Sequence, residues 1–320
     1  MLVLFGVGYY FWPRENINPV GNGLKPFRTN YLEQYDFDNL RKRGGKASEI
    51  KILGSLDDIE KRRGAMHCAR TENECFVTNE ISFESDGKKI SGMINYWPEK
   101  SSLSKVIIMI RGYAEPAGYF VGSGTWKVAD ALAKAGYATI SLDFLGYGNS
   151  DKEPSDVLEA RFHKVIEVMD LIESVKALPW VDKNRIGIWA HSNGGQIALS
   201  VLETTGASYP TVLWAPMTQN FPESVLSTND ADSPINGIIA EFEKHYDSRR
   251  YAFENYYSWI KAPVLIQQGT ADVWCKVEWQ QRVVQAINGE LVVYDGADHN
   301  LKGSWEDAVL KDVEWYKNRI

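Results

Sequence analysis

A serine, an aspartate and a histidine occur at positions in the sequence where each could serve in nucleophilic catalysis. Ser192 lies in "GIWAHSNGGQIALS", Asp272 in "VLIQQGTADVW" and His299 in "YDGADHNLKGSW". A serine hydroxyl is a weak nucleophile at neutral pH, and it is activated when a histidine oriented by a carboxylate removes its proton. The three residues therefore predict acyl transfer through a Ser-His-Asp triad.

The surroundings of Ser192 resemble those of a serine on a tight turn. The predicted strand "RIGIWA" ends just before it and the predicted helix "GGQIALSVLE" begins just after it. A nucleophile on such a turn needs small residues two positions before and after it, because neighbouring backbone passes close by. Ala190 and Gly194 meet this requirement and Gly195 follows, which favours a nucleophile over an ordinary hydroxyl in a glycine-rich loop.

The candidate base and the candidate acid of the triad are identified by their positions after later predicted strands. Of the five histidines, His299 follows the last predicted strand, whereas His163 lies inside a predicted helix. His191 is expected to point away from the adjacent serine and is given no role. Asp272 follows the next-to-last strand and could accept the second imidazole N–H, while Asp298, nearer in sequence, could instead cap a turn.

The elements that must position these residues follow an alternating pattern from Phe76 onward. Strands of period two alternate with helices of period 3.6, which predicts an α/β fold with a mostly parallel sheet and helices on both faces. Two alternating segments around Asp86-Gly87, "FVTNEISFES" and "KKISGMINYW", predict an antiparallel hairpin at one edge. Ser192, Asp272 and His299 would then share the carboxyl edge of the sheet, where open α/β folds bind ligands.

Composition limits the classes of partner. The chain has 320 residues, a formal net charge of −7, 44% hydrophobic residues and 24% charged residues. These values describe a folded protein and disfavour a nucleic-acid partner. Neither CxxC pairs nor clustered histidines occur, so a zinc site is not predicted. Acyl transfer through a triad implies no metal and no organic cofactor. Cys68 and Cys75 bracket a short polar loop and are either a disulfide or two reduced thiols.

The N-terminal part is predicted to lie outside the catalytic domain. Residues 2–12 form an uncharged apolar run that would span only about 17 Å as a helix, too short to cross a bilayer. Three interpretations stay open: the end of a membrane anchor, a surface-docking segment, or a buried element. We expect residues 1–12 to be an anchor remnant and residues 13–76 to be an extension with a helix or two. An anchor would favour a membrane-associated or extracytoplasmic location.

The segments from about Phe76 onward resemble an α/β-hydrolase, most closely the catalytic domain of prolyl oligopeptidase-type serine peptidases and their acylaminoacyl-peptidase and esterase relatives. The similar segments are "IIMIRGY", "LDFLGYGNSD", "AHSNGG", "PVLIQQGTADVWC" and "GADHN", in that order over roughly three quarters of the chain. The resemblance implies that Ser192, Asp272 and His299 form the triad of a catalytic domain at residues 77–320.

The same resemblance implies an oxyanion hole made of backbone N–H groups. By position these are the amides of Tyr113, which follows Gly112, and of Asn193, which follows the nucleophile. Arg111 stands where many relatives have a histidine, and Ala190 replaces a more usual glycine. The chain is also too short at its N-terminus for the β-propeller that peptidases of this family usually carry, which weakens the peptidase assignment.

An insertion at about residues 216–259 is predicted to be a helical lid that sets specificity. Phe221, Phe242, Tyr246 and Tyr256 belong to its aromatic side chains. They either cover the substrate pocket or pack a helical excursion in the ordinary way. A lid of this composition predicts a pocket for apolar or aromatic acyl groups, and its acidic excess could favour a cationic amine.

The sequence as a whole predicts a serine hydrolase that acts on small esters or short peptides. The peptidase and the carboxylesterase of this fold use the same triad, so both remain open. A non-catalytic scaffold that binds a small ligand is the alternative from another class. Activity is expected to fall on acidification, because His299 must be neutral to act as a base.

Overall fold

One nine-stranded sheet crosses the part of the chain that the structure, a computed structural model, describes: residues 30–56, 76–98, 102–227 and 233–320. Residues 1–12, Cys68 and Cys75, and thus the anchor and disulfide predictions, lie outside these ranges. The spatial order is β1-β2-β3-β5-β4-β6-β7-β8-β9. The strands are β1 (Lys51–Ser55), β2 (Val77–Ser85), β3 (Lys88–Tyr96), β4 (Ser104–Ile110), β5 (Ala138–Leu142), β6 (Val181–His191), β7 (Thr211–Trp214), β8 (Val264–Gly269) and β9 (Glu290–Tyr294).

Helices cover both faces of this sheet. They are α1 (Phe37–Arg43), α2 (Trp126–Lys134), α3 (Val157–Lys176), α4 (Asn193–Thr205), α5 (Glu223–Leu226), α6 (Pro234–His245), α7 (Val277–Ile287) and α8 (Trp305–Lys317), with 3-10 helices at Tyr31–Tyr35, Ser248–Tyr251 and Phe253–Trp259. From β4 to β9 neighbouring strands pair in parallel, while β1, β2 and β3 pair antiparallel. The predicted fold class is confirmed.

The predicted hairpin forms between β2 and β3. Ser85 pairs with Lys88, and Asp86 and Gly87 both have positive φ angles, of 46° and 75°. Positive φ at both central residues is what a two-residue turn of type I′ requires. The hairpin is not the outermost pair, because β1 from the N-terminal extension adds an exposed edge strand beside β2. The sequence predicts a helix or two in that extension and no strand, so β1 is a correction to that prediction.

Alternating side chains of the central strands enter two separate hydrophobic clusters. In β6, Ile188 and Ala190 face the cluster beneath α3 and α4, whereas Trp189 faces the cluster beneath α2 and α8. This is the two-residue alternation of a strand buried on both faces. It places tryptophans of the sheet on the α2 and α8 side.

A buried ion pair fastens the N-terminal segment to α3. The two terminal nitrogens of Arg43 donate to the two carboxylate oxygens of Asp170, each at 2.8 Å. Asp170 is fully buried and also accepts from the Ser85 hydroxyl at 2.6 Å and the Lys46 amide at 2.7 Å. The carboxylate is therefore satisfied only when this segment lies in place.

Among the described residues, no helix is long and apolar enough to span a membrane.

We predict that Arg43→Met lowers the free energy of unfolding by about 3 to 5 kcal/mol, since it leaves the buried Asp170 carboxylate without its cation. Lys46→Met is the control, because its side chain is 63% exposed and, among the described residues, its ammonium pairs with Asp86; its cost should stay below about 1 kcal/mol. Urea unfolding measures both. Equal losses in the two variants would contradict the anchoring role.

Candidate active site

Ser192 occupies a strained turn between β6 and α4. Its backbone has φ 54° and ψ −123°, a region that costs a residue other than glycine on the order of 1 to 3 kcal/mol unless its surroundings impose it. The Ser192 amide donates to the Trp214 carbonyl of β7 at 3.0 Å, and its carbonyl accepts from the amides of Gly195 and Met217, each at 2.9 Å. Backbone hydrogen bonds from nearby segments thus hold the predicted nucleophile in this strained conformation.

Close packing around this turn leaves space only for glycine at three positions. A Cβ at Gly194 would lie 2.5 Å from the carbonyl oxygens of Ile110 and Arg111, and one at Gly112 would lie 2.9 Å from the Cβ of Ser192. A Cβ at Gly195 would similarly lie 2.3 Å from Pro216. The loop that follows β4 therefore packs directly against the serine turn, as the small residues in the sequence indicated.

Asp272 and His299 are joined by a hydrogen bond. Nδ1 of His299 lies 2.8 Å from Oδ2 of Asp272. The same oxygen accepts from Gln268 at 2.9 Å, and Oδ1 accepts from the amides of Trp274 at 2.8 Å and Cys275 at 3.0 Å. Burial works to raise the pKa of Asp272, but the hydrogen bonds from His299, the Cys275 amide and Gln268 outweigh it and hold the pKa below its usual value. An ionised Asp272 orients the imidazole with Nδ1 as the donor.

His191 connects the serine turn to the loop that carries His299. Its Nε2 lies 2.9 Å from the His299 carbonyl oxygen, and the two imidazole rings are 4.9 Å apart. Burial, helped by the charge of His299, lowers the pKa of His191 to about 4. Neutral His191 therefore donates from Nε2 and adds no positive charge beside His299 at neutral pH. In the described structure Ser192 Oγ makes no hydrogen bond to His299, so His191 provides the direct link between the two loops.

The proposed oxyanion donors lie on the two segments that meet at this turn. Asn193 is the first residue of α4, and the amides of a first helical turn lack acceptors within the helix. Tyr113 follows Gly112 in the loop after β4. Arg111 is buried and fixes that loop, because it donates to the carbonyls of Gly112 at 2.8 Å and Asp143 at 2.7 Å. The buried Arg111 side chain therefore stabilises the conformation of the loop after β4.

The aromatic residues of the predicted lid pack in the hydrophobic core. Phe221, Phe242 and Tyr246 are buried, and Phe221 lies 5.1 Å from the ring of Phe162 in α3. Tyr256 stacks at 4.5 Å on Phe37 of the N-terminal segment. These contacts match the packing alternative, and the lid function stays a prediction.

The side chains of Asp272, Cys275 and His299 offer three ligand atoms within 4.8 Å of one another. A thiol must lose its proton to bind a metal, and burial raises the pKa of Cys275 well above its usual value. Nδ1 of His299 is already hydrogen-bonded to Asp272. The donor set is thus better suited to proton transfer than to metal binding.

Comparison with known proteins agrees with this fold. Residues 105–213 match a family model described as the alpha/beta hydrolase fold. Acetyl xylan esterase 1 from Thermoanaerobacterium sp. JW/SL YS485 has a similar structure, with a TM-score of 0.63 and 16% identity over 89% of this chain and 93% of that chain. A Mycobacterium tuberculosis puromycin-hydrolyzing peptidase has a TM-score of 0.60 and 16% identity over 76% of this chain and 39% of that chain.

Curated relatives match shorter stretches. An uncharacterized 31.7 kDa protein of Escherichia coli is 34% identical over 67 residues, 21% of this chain and 23% of that protein. The quorum-quenching protein AidA of Acinetobacter baumannii is 23% identical over 151 residues, 46% of each chain. The matches thus span less than half the length of these relatives. The family match and the similar structures show the α/β-hydrolase fold, which agrees with the resemblance found in the sequence.

We predict that His191 makes stability depend on pH. Because its pKa is lower in the folded protein than in the unfolded chain, its contribution is complete above about pH 6.5 and is lost as the pH falls toward 4. His191→Gln keeps an N–H donor but does not titrate. Between pH 7 and pH 5 the wild type should lose about 1 to 2 kcal/mol more free energy of unfolding than the variant. Equal losses on urea unfolding would show that His191 is not held neutral.

Proposed function

We propose that the protein is a serine hydrolase that cleaves ester or amide bonds through an acyl-enzyme, with Ser192 as nucleophile, His299 as base and Asp272 as the acid that orients it. The observation that carries this proposal is the 2.8 Å bond between His299 and Asp272 on loops that reach the strained turn of Ser192. Such strain is stored where function needs a residue held in place.

The proposed reaction has two steps. Nε2 of His299 takes the proton of Ser192 Oγ while the oxygen attacks the substrate carbonyl, and Nδ1–H continues to donate to Asp272. The amides of Tyr113 and Asn193 stabilise the oxyanion. His299 then protonates the leaving group, and water releases the acyl group by the same route. The serine and histidine atoms must approach for this, and catalytic hydrogen bonds commonly tighten only when substrate is bound.

Esters and peptides are both candidate substrates. The proteins with similar folds include an acetyl xylan esterase and a puromycin-hydrolyzing peptidase. The prolyl oligopeptidase-type peptidase and the carboxylesterase are the two candidates, because the triad suits both.

We predict that 4-nitrophenyl acetate is hydrolysed and that kcat/KM falls by about 10⁴ or more in Ser192→Ala and in Asp272→Asn. Ser200→Ala is the matched control: this buried serine of α4 donates to the Gln196 carbonyl and should keep most of the activity. Rates on an aminoacyl 4-nitroanilide, measured alongside, compare esterase with peptidase. Full activity of Ser192→Ala would overturn the mechanism, and an inactive but folded wild type would favour a ligand-binding scaffold.

A further inference from the structure

Arg161, in the second turn of α3, is a half-buried cation whose charge no described carboxylate balances. Its Nη2 donates to Oε1 of Gln196 at 2.7 Å and to the Ser224 hydroxyl at 2.9 Å. Both acceptors are neutral, and both residues are buried. Charged side chains are rarely taken out of water without a partner of opposite charge, because an unpaired buried charge is costly. The proposed reaction gives this guanidinium no role.

The pKa of Arg161 reflects this lack of a counter-charge. Burial lowers the pKa to about 10, and no described group acts in the opposite direction. The ion pair of the N-terminal segment shows the contrast. Burial acts on Arg43 as well, but its hydrogen bonds to Asp170 and Asp86 outweigh burial and raise its pKa. Among the described residues, Arg161 therefore lacks the kind of acidic partner that Arg43 has.

A second cation lies beside the first. Lys164 is three residues further along α3, so the two side chains share one face of the helix, and its ammonium donates to the Ala160 carbonyl at 2.9 Å. Burial lowers the pKa of Lys164 and Arg161 adds to the lowering, whereas Glu167 and Glu153 act to raise it. Lys164 thus has carboxylates nearby, and the uncompensated charge belongs to Arg161.

Part of the Arg161 guanidinium is open to a ligand. Nε and Nη1 donate to no described residue, and neither nitrogen is among the buried side-chain atoms that lack a partner. These N–H groups therefore reach solvent, although the side chain as a whole is half-buried. A guanidinium in such a place is suited to a carboxylate, because hydrogen bonds between two charged groups are stronger than those to neutral acceptors.

The guanidinium lies between the helix that follows the proposed nucleophile and the insertion after β7. Gln196 comes one helical turn after Ser192, about 6 Å along the axis of α4. Ser224 belongs to α5, in the insertion, and near the start of the insertion the Met217 amide donates to the Ser192 carbonyl. Both neutral partners of Arg161 are thus on segments that begin at or beside the serine turn.

We propose that Arg161 binds the carboxylate of a small organic acid. One carboxylate balances the one uncompensated charge, and the N–H groups of Nε and Nη1 are its donors. Two sources share this chemistry: the acyl part of a substrate whose carbonyl lies at Ser192, and a separate acid that binds beside α4. In the sequence the acidic excess of the insertion could favour a cationic amine, whereas Arg161 favours an anionic group at its base. The binding needs neither Ser192 Oγ nor His299, so it is tested apart from the proposed reaction.

Calorimetric titration of Ser192→Ala with monomethyl adipate tests this binding without turnover. The probe carries one carboxylate, and dimethyl adipate is the matched uncharged ligand. Addition of Arg161→Gln keeps an N–H donor for Gln196 and Ser224 but removes the charge. It should weaken the binding of monomethyl adipate about 10- to 100-fold, because a hydrogen bond to a charged group is lost. The affinity for dimethyl adipate should not change.

Two further variants, made in the same Ser192→Ala protein, separate loss of charge from disturbed packing. Arg161→Lys keeps the charge and should recover part of the affinity. Lys176→Gln removes a cation at the other end of α3, where it pairs with Glu173 at 2.6 Å, and should leave the affinity unchanged. Circular dichroism checks that each variant is folded.

The hydrolysis of two esters shows which source supplies the carboxylate. The esters 4-nitrophenyl hydrogen adipate and 4-nitrophenyl hexanoate share a leaving group and a six-carbon acyl chain, which ends in a carboxylate or in a methyl group. If the substrate supplies the carboxylate, kcat/KM of the wild type favours the adipate ester, and this preference falls about 10- to 100-fold in Arg161→Gln, chiefly through KM. If a separate acid supplies it, the preference is the same in both enzymes while binding still depends on Arg161.

The binding result decides the proposal whether or not the protein is a hydrolase. Folded Ser192→Ala that fails to bind monomethyl adipate, or that binds it equally with and without Arg161→Gln, would overturn the carboxylate site. Binding that depends on Arg161, in a protein whose wild type hydrolyses neither ester, would support the site and count against the proposed function. Hydrolysis of both esters without such binding would leave the hydrolase standing and refute the site.

Discussion

The strained backbone of Ser192 is the constraint on which the rest of the site depends. A serine held at φ 54° is not at its own energy minimum, so contacts from other elements must hold it. The Trp214 carbonyl of β7 and the amides of Gly195 and Met217 supply these contacts. The loop after β4 then packs on the turn so closely that Gly112 and Gly194 tolerate no side chain without displacement of the backbone.

The His299 loop is held against this turn from two directions. Asp272, after β8, fixes the imidazole through Nδ1, and His191, at the end of β6, fixes the backbone of the same residue through its carbonyl. Both supports rely on groups in defined protonation states, an ionised carboxylate and a neutral imidazole. Parallel pairing from β6 to β9 brings the three loops to one edge of the sheet. The fold thus assembles from distant segments a site that no local sequence could form.

Much of this was predictable because it leaves a local trace in the sequence. Period-two and period-3.6 segments gave the fold class, and Asp86-Gly87 gave the hairpin, since a type I′ turn demands positive φ at both positions. The position of His299 after the last strand likewise followed from the order of elements. By contrast, the contact of His191 with His299 depends on a loop 108 residues away, and no local pattern signals it.

The features that the sequence did not predict, or left open, depend on contacts between segments that are far apart in the chain. Strand β1 is short and exposed, so it carries no hydrophobic alternation to identify it. The sequence of residues 216–259 is equally consistent with an aromatic lid and with core packing. The contacts of its aromatic residues with Phe162 and Phe37 match core packing, and these contacts depend on segments far away in the chain. Arg111 stands where many relatives have a histidine, and the sequence does not indicate its role. In the fold it donates hydrogen bonds to the carbonyls of Gly112 and Asp143, which hold the loop after β4 in place.

We propose that the strained turn presents Ser192 as an activated nucleophile. Peptide mapping by mass spectrometry after reaction with a fluorophosphonate measures this directly, because the reagent bonds only to an activated serine. We expect one adduct per chain, on the peptide that contains Ser192. A folded protein that remains unlabelled, or that carries its adduct on another serine, would contradict it.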